Sequence, residues 1–407
     1  MIAGELKEEV YKCIKCGLCL TPCPVYNLLR FEGASPRGRV QLIKKILEGK
    51  AELSENFRGL LFTCLLCETC TANCPSGLKT DRLMKAMRSE IQERLGADWP
   101  KGVLGNLLRD KRRPPFFFFC ERTRENLLSS KEGGSAVLPD SELPRPTSKS
   151  LRQQVSEVNP ASEPSGKVLY FTGCATNHFF PNVGHSVIKV LNRIGMEVLI
   201  PRGQMCCGLP LFQGGARKKA LKNIRENLKL FNRKDVDTVV VDCAACGAAL
   251  KREYAHILEE MGEDARPAKE LARKVLDISQ VLVRSDLGNA LKSVPVRVTY
   301  HDPCRLGRSQ GVREEPRSLL RRIPGVELVE MAGAENCCGG GAALPWEHPD
   351  VAAGISRNKA QSIRETRATV VASGCPWCRK QIAETLGDGS IRVVHPVELI
   401  AEALREK

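Results

Sequence analysis

The sequence predicts a multidomain α+β chain, with a helical N-terminal domain followed by two duplicated α/β domains. Three observations predict this. The first hundred residues carry helix signals and eight cysteines in two dense groups. After residue 167, short β-rich runs alternate with helical patterns. The cysteines of that later region recur in two matched sets. The boundaries expected from these features are 1–100 for the helical domain, 101–166 for a linker, 167–290 for the first α/β domain and 291–407 for the second.

In the first domain, Ser35 and Pro36 suit the N-cap and first-turn positions before RGRVQLIKKILEG, with Gly49 as terminator. Leu83, Met84, Met87, Ile91 and Leu95 line one face of a second helix that stops at Gly96. Between and around these helices lie Cys13, Cys16, Cys19 and Cys23-Pro24, then Cys64, Cys67, Cys70 and Cys74-Pro75. Both groups read C-x2-C-x2-C-x3-C-P, the ferredoxin spacing for cubane [4Fe–4S] clusters. In two-cluster proteins of this kind the fourth cysteine of each run serves the other cluster. The expected sets are therefore Cys13, Cys16, Cys19 and Cys74 for one cubane, and Cys64, Cys67, Cys70 and Cys23 for the other. Zinc knots suit four such dense cysteines followed by proline less well. Forty residues separate Cys23 from Cys64, so this domain is stretched by helices, unlike a compact β-rich ferredoxin.

Residues 121–166 have no aromatic side chain, nine Ser and five Pro, as in LPDSELPRPTSKS, and read as the clearest part of the linker. The run Phe116–Phe119 is far too short to span a bilayer. Cys120 has no partner set and is expected to be a structural thiol.

The α/β region contains Cys174, Cys206, Cys207, Cys243 and Cys246, then Cys304, Cys337, Cys338, Cys375 and Cys378. Matched members are offset by 130, 131, 131, 132 and 132 residues, which marks a duplication. KVLYFTGC and VRVTYHDPC are β-rich runs ending on the first cysteine of each set; DTVVVDCAAC and ATVVASGCPWC are buried-type strands running into C-x2-C. Helices are expected over 183–194, 218–231 and 351–364, and VLDISQVLV echoes VVHPVELIA near the two domain ends. Strand alternating with helix predicts parallel sheets, with the cysteines in loops past strand C-terminal ends, where such sheets place ligands. A tetrahedral zinc ion takes four ligands, and adjacent residues poorly supply two of its corners. Spacing alone thus favours iron–sulfur chemistry at each five-cysteine set over zinc plus a spare thiol.

The charge and cysteine usage narrow the class. There are 19 cysteines and a formal charge of +15. No basic-then-apolar leader opens the chain, so thiols held as metal ligands are expected rather than disulfides, and cytoplasmic placement follows. Any membrane contact is expected to be peripheral, on the inner face of the cell membrane, or through a partner. Only 5% of residues are aromatic, and no Cys2His2 spacing or RNA-recognition signature is present, so no nucleic-acid partner is expected. Each four-iron cluster on four thiolates carries roughly −2, which offsets part of the basic excess.

The pattern C-x31-CC-x35-C-x2-C, with glycine after the pair, resembles the CCG cysteine-rich domain. That domain occurs in the B-type and D-type components of heterodisulfide reductase and in the iron–sulfur subunits of glycolate and lactate oxidases. In the heterodisulfide reductases each complete motif holds a noncubane [4Fe–4S] cluster, so the resemblance implies two such clusters here. The N-terminal run is similar to the glycolate oxidase iron–sulfur subunit in CPVY, SPRGR, LIKKILEG and CPSG. The resemblance covers nearly the whole chain and implies a component that carries electrons from an FAD-containing hydroxyacid oxidase partner to a quinone or membrane cytochrome. Both C-x2-C pairs are complete here, as in heterodisulfide reductase, and the alternative it implies is a catalytic component that cleaves a disulfide at a noncubane cluster.

The remaining candidates have two readings each. His301 and Asp302 precede Cys304 closely enough to give a proton at the second five-cysteine set, or are ordinary satisfied core groups. Arg37 and Arg39 offset cluster charge or seat the flavin partner, or are a salt-bridged helix start. Tyr300 and Trp377 are expected to pack. Gly339–Gly341 are no phosphate loop, since no Lys-Ser/Thr follows, and no flavin or dinucleotide fingerprint is present.

Overall fold

The structure is a computed structural model and describes residues 4–96, 147–287, 290–387 and 389–405. Residues 4–96 form helices and loops, with no strand among them. Ser35 caps the helix Pro36–Leu47, its Oγ accepting from the Gly38 amide at 2.8 Å, with Pro36 at the first turn. Ser54 caps Glu55–Phe62 in the same way. The helix Thr80–Leu95 ends at Gly96 in the left-handed conformation. Val40, Ile43, Leu61, Leu83, Met84, Met87 and Ile91 close one core between these helices.

The later region forms two sheets of one topology. The first contains β1 (Val158–Asn159), β2 (Gly166–Phe171), β3 (Met196–Leu199), β4 (Val239–Val241) and β5 (Val275–Asp277), in the order β1-β3-β2-β4-β5. The second contains β6 (Val296–Tyr300), β7 (Val326–Leu328), β8 (Val370–Ala372) and β9 (Arg392–Val394), in the order β7-β6-β8-β9. Strand for strand, β3-β2-β4-β5 repeats as β7-β6-β8-β9, and every pair in that common set is parallel. The expected helices occur as Pro181–Arg193, Arg217–Phe231 and Pro349–Glu365.

The two halves share a core. Val168, Tyr170 and Val240 of the first sheet lie in one apolar cluster with Val298, Tyr300 and Val370 of the second. The helices Pro181–Arg193 and Pro396–Ala403 pack together, and Lys189 Nζ donates to the Ala401 carbonyl at 3.0 Å.

Part of the expected linker is structured. The helix Leu151–Gln154 and strand β1 both lie within 101–166, and β1 pairs antiparallel with β3. The cause is local: Ser150 and Gln153 form a capping box, and Leu151 is fully buried. A Ser- and Pro-rich average hides one anchored leucine. Cys120 and Phe116–Phe119 lie outside the described residues.

The N-terminal helices dock on the first sheet's domain at Gly215. Its φ is +90°, and an added Cβ would lie 2.5 Å from the Arg88 backbone carbonyl. Gly215→Ala is expected to cost roughly 2–4 kcal/mol, combining left-handed strain with a backbone clash. Gly262→Ala is the control: φ is +71° there with nothing within 4 Å, so only about 1 kcal/mol of strain is expected. Equal losses in denaturant unfolding would contradict this close approach.

Candidate metal centres

All eighteen described cysteines are free. The eight N-terminal ones gather into two sets. Cys13, Cys16, Cys19 and Cys74 line one cavity, together with Arg37 and Lys15. Cys23, Cys64, Cys67 and Cys70 line a neighbouring cavity, together with Arg39 and Asp81. Cys70 touches both cavities. Cys74 thus lies beside the first loop's thiols and Cys23 beside the second's.

The two loops curl alike. Lys15 (φ 60°) and Gly17 (φ 86°) flank Cys16, and Leu66 (φ 51°) and Glu68 (φ 63°) flank Cys67. Left-handed residues at these positions turn the amides inward, making a concave nest suited to negative charge. Non-glycine residues at three of the four positions carry about 1 kcal/mol of strain each, which the surrounding contacts must offset. Amides also approach the sulfurs: Leu66 N to Cys64 Sγ at 3.4 Å and Tyr26 N to Cys23 Sγ at 3.5 Å. Burial pushes the Cys23 thiol up to about 11 and raises Cys70. Thiols so buried are poor free anions, and a bound cation reverses that preference.

Basic groups surround both cavities. Arg37 pairs with Glu32, Nε to Oε1 at 2.8 Å, while its Nη1 donates to the Lys15 carbonyl at 3.2 Å. Arg39 is buried, its Nε donating to the Leu60 carbonyl at 3.1 Å and its Nη2 bonded to Thr63. Arg88, missed in the sequence because it interrupts an apolar face, is fully buried and donates to the carbonyls of Leu61, Cys64 and Gln213. Burial lowers its guanidinium to about 10.

The five-cysteine sets also assemble. In the first, Cys174 and Cys206 have sulfurs 3.6 Å apart, and Cys206, Cys207, Cys243 and Cys246 are buried in one apolar cluster. Cys207 is drawn down to about 6 by thiol hydrogen bonds from Cys206 and then Cys246. The second repeats the pattern: Cys337 and Cys378 donate to Cys338 and hold it well below the usual thiol range. Burial pushes Cys304 up to about 12. Gly208 (φ 80°) and Gly339 (φ 87°) follow the two pairs, and a Cβ at Gly339 would lie 2.5 Å from the Ala352 carbonyl. That explains glycine after both pairs.

The sites abut one another. Cys304 opens the helix Cys304–Gln310, and the same helix grips the Cys64–Cys70 loop. Arg305 Nη2 donates to the Leu66 carbonyl and Arg308 Nε to the Cys67 carbonyl, both at 2.8 Å. Arg305 also pairs with Glu68, and Ser309 Oγ donates to Glu68 Oε2 at 2.9 Å. Cys67 and Cys337 border one apolar cluster. The two five-thiol sites meet where the Ala244 amide, next to Cys243, donates to the Gly374 carbonyl, next to Cys375, at 2.9 Å. Sequence reasoning missed Arg305, Arg308 and Glu68; their signal was two arginines three residues apart behind a ligand-type cysteine, and an acid standing where the first loop has Gly17.

Three more candidates have definite places. His301 is buried, its ring grouped with the sulfurs of Cys338 and Cys378. Asp302 is held by Arg317, Oδ1 to Nη1 at 2.8 Å and Oδ2 to Nη2 at 2.7 Å, and so is a paired structural acid. Trp377 packs between Phe179 and Trp346, with ring centroids 6.3 and 6.1 Å away. Lys359, also missed, is buried behind the second pair and donates to the Gly333 carbonyl at 2.6 Å.

Thiol-lined cavities, each with one arginine in its lining, and five-thiol sites with adjacent sulfurs suit iron–sulfur groups by their donor chemistry. No described helix is long and apolar enough to cross a membrane.

Comparison with known proteins agrees with these features. Residues 9–78 match the family of 4Fe-4S dicluster domains, and residues 168–251 and 298–383 match the CCG cysteine-rich domain. The chain is 30% identical to a Bacillus subtilis protein named "Probable glycolate oxidase iron-sulfur subunit", covering 100% of this chain and 98% of that one. It is 31% identical to a component of the fumarate reductase (CoM/CoB) of Methanothermobacter marburgensis, covering 97% of this chain and 74% of that one. It is 27% identical to a component of the dihydromethanophenazine:CoB–CoM heterodisulfide reductase of Methanosarcina acetivorans, covering 97% and 94%.

Proposed function

The chain belongs to the family of iron–sulfur oxidoreductase subunits that join a 4Fe-4S dicluster domain to two CCG domains, and we propose that it is the electron-transfer subunit of a flavin-dependent 2-hydroxyacid oxidase. In this reading an FAD-bearing partner oxidises glycolate or D-lactate to the 2-oxo acid. The two electrons leave the flavin singly and pass through this chain to a quinone or another carrier. Cubanes are assigned to Cys13, Cys16, Cys19 and Cys74, and to Cys64, Cys67, Cys70 and Cys23. Noncubane clusters are assigned to Cys174, Cys206, Cys207, Cys243 and Cys246, and to Cys304, Cys337, Cys338, Cys375 and Cys378. Clusters at these thiols supply one-electron redox chemistry. The chain supplies positioning, charge compensation by Arg37, Arg39 and Arg88, and exclusion of water.

The observation that carries the reading is the helix Cys304–Gln310, which provides a thiol of one site and grips the loop of the next. It supports an unbroken series of redox sites. Seven of the ten thiols in the five-cysteine sites are buried, which suits transfer of electrons better than access by a bulky disulfide.

The partner surface is assigned to the outer face of the Cys13–Cys19 loop. Cys16 is exposed there, and Ile14, Leu18 and Phe31 are 67%, 58% and 55% exposed. Arg37 joins Phe31's neighbour Glu32 to the Lys15 carbonyl, which ties the two exposed segments together. Lys12, Lys15 and Arg30 are exposed in the same segment and suit a partner with an acidic rim. Phe31→Glu, outside the cysteine loop, is expected to weaken partner association at least about tenfold, with iron content unchanged. Undiminished co-purification would contradict this surface.

The second reading, disulfide cleavage at a CCG centre, is favoured by the completeness of both five-cysteine sets and by the relatives named for CoM and CoB. In that reading His301 is the candidate proton donor. Anaerobic titration of the purified complex separates the two: hydroxyacid-dependent reduction supports the conduit, and reduction only by a thiol/disulfide couple supports the alternative.

A further inference from the structure

The duplication provides an internal control. His301 lies three residues before Cys304, and the residue three before Cys174 is Phe171. Phe171 is fully buried and packs on Phe231, ring centroids 5.2 Å apart. It contributes no donor atom to the first site. His301, 1% exposed, has a ring nitrogen within 4.8 Å of both Cys338 and Cys378 sulfurs, which are within that distance of each other. Among the described residues it is the one histidine so grouped with cysteine sulfurs.

The ring is oriented. Nδ1 lies 3.1 Å from the Ala334 carbonyl oxygen, which only accepts, so Nδ1 carries the hydrogen. The same carbonyl is fixed by the Asp302 amide at 3.0 Å and by Lys359 Nζ at 3.3 Å. Nε2 is left with its lone pair, the state in which imidazole binds metal. An Nδ1–H held by a backbone carbonyl is the usual outer support of a histidine ligand.

We propose that the second five-thiol site has a sixth donor, the Nε2 of His301, so that the two duplicated centres are chemically unequal. This rests on the reading that the second site holds an iron–sulfur cluster. As a ligand, His301 has no free lone pair or acidic proton at Nε2, and so is not a proton donor. Both centres keep five thiols, and the neutral nitrogen is an added ligand at the second alone. The two centres are therefore expected to differ in potential.

The test uses the full-length holoprotein made with 15N-histidine. Pulsed EPR of the reduced protein is expected to show an isotope-sensitive nitrogen coupling from coordinated imidazole. The coupling should vanish in His301→Phe, which copies Phe171. It should return when free imidazole is added to His301→Gly. With iron content full, absence of the coupling in the wild type, or its survival in His301→Phe, overturns the ligand assignment alone. Iron content short by one cluster in the wild type, with loss mapped to the Cys304 set, overturns both the assignment and the reading beneath it.

Discussion

Cys74→Ala is expected to remove the cluster proposed at Cys13, Cys16 and Cys19 and to leave the one proposed at Cys64, Cys67 and Cys70. Cys23→Ala does the reverse. Each variant is expected to fall from about sixteen to about twelve irons per chain, and the two should lose different components of the reduced EPR spectrum. The reason is the fold around the two loops. Cys74 lines the cavity of the first loop, and Cys23 lines that of the second. The three-residue spacing before Cys23-Pro24 and Cys74-Pro75 carries each fourth thiol out of its own loop. Pro24 and Pro75 follow directly, and Pro24 opens a helix whose N-cap is Cys23 itself, its sulfur accepting from the Tyr26 amide. Should Cys74→Ala lose only the cluster at Cys64, Cys67 and Cys70, the crosswise assignment would be wrong.

The second large effect is expected at Arg305. Its side chain is buried with Glu68 and Glu253, and the same group of charges includes Lys85 and Asp81. Burial alone would push Asp81 up, but Lys85 and then Arg305 hold it down to about 2. Arg305→Met removes one cation from this set and leaves Glu68 short of a partner in a site closed to water. Truncating one member of a buried pair costs about 3–5 kcal/mol, far more than an exposed pair would. Arg252 also reaches Glu68, at 3.2 Å, and its flexible, half-exposed side chain compensates only in part. Arg305→Lys keeps the charge but loses the fork that reaches Leu66 and Glu68 together, so an intermediate loss is expected. Denaturant unfolding of the anaerobic holoprotein measures the cost, and limited proteolysis reports whether residues 4–96 come loose. A loss under about 0.5 kcal/mol in Arg305→Met, with no change in cleavage, would contradict the view that this cluster holds the helical domain on the second sheet's domain.

Much of this arrangement is legible in the sequence, for identifiable reasons. Metal-ligating cysteines have fixed spacing because a cluster has fixed size, so the four sets can be written down before any coordinates. The helix at Pro36 and the stop at Gly96 announce themselves through capping chemistry, which is local. The strands β2, β4, β6 and β8 are readable because a parallel strand buried on both faces is a continuous apolar run. What is not legible is long-range. Nothing local distinguishes Arg305 and Arg308 from solvated arginines, since their partners lie more than two hundred residues away in Glu68 and the Leu66 and Cys67 carbonyls. Lys359 and Arg88 defeat a hydropathy reading, being buried charged groups that donate to carbonyl oxygens. Beside His301 and Cys304, Asp302 has two readings, a proton source or a satisfied core group, and only the clamp by Arg317 decides for the second. Strand β1 is two residues long and depends on pairing with β3, so a window average over the Ser- and Pro-rich stretch cannot show it.

The series of sites, from the exposed Cys16 loop through Cys64–Cys70 to the two five-thiol sites, makes electron passage the central claim. The most direct measurement is anaerobic EPR of the complex of this chain with the proposed flavoprotein partner, before and after adding glycolate or D-lactate. Signals of reduced clusters should rise with hydroxyacid alone, in the cubanes and in the CCG centres, and decay on adding a quinone. Clusters that stay oxidised with hydroxyacid, and respond only to a thiol or disulfide, would contradict the conduit and place the chemistry at the CCG centres themselves.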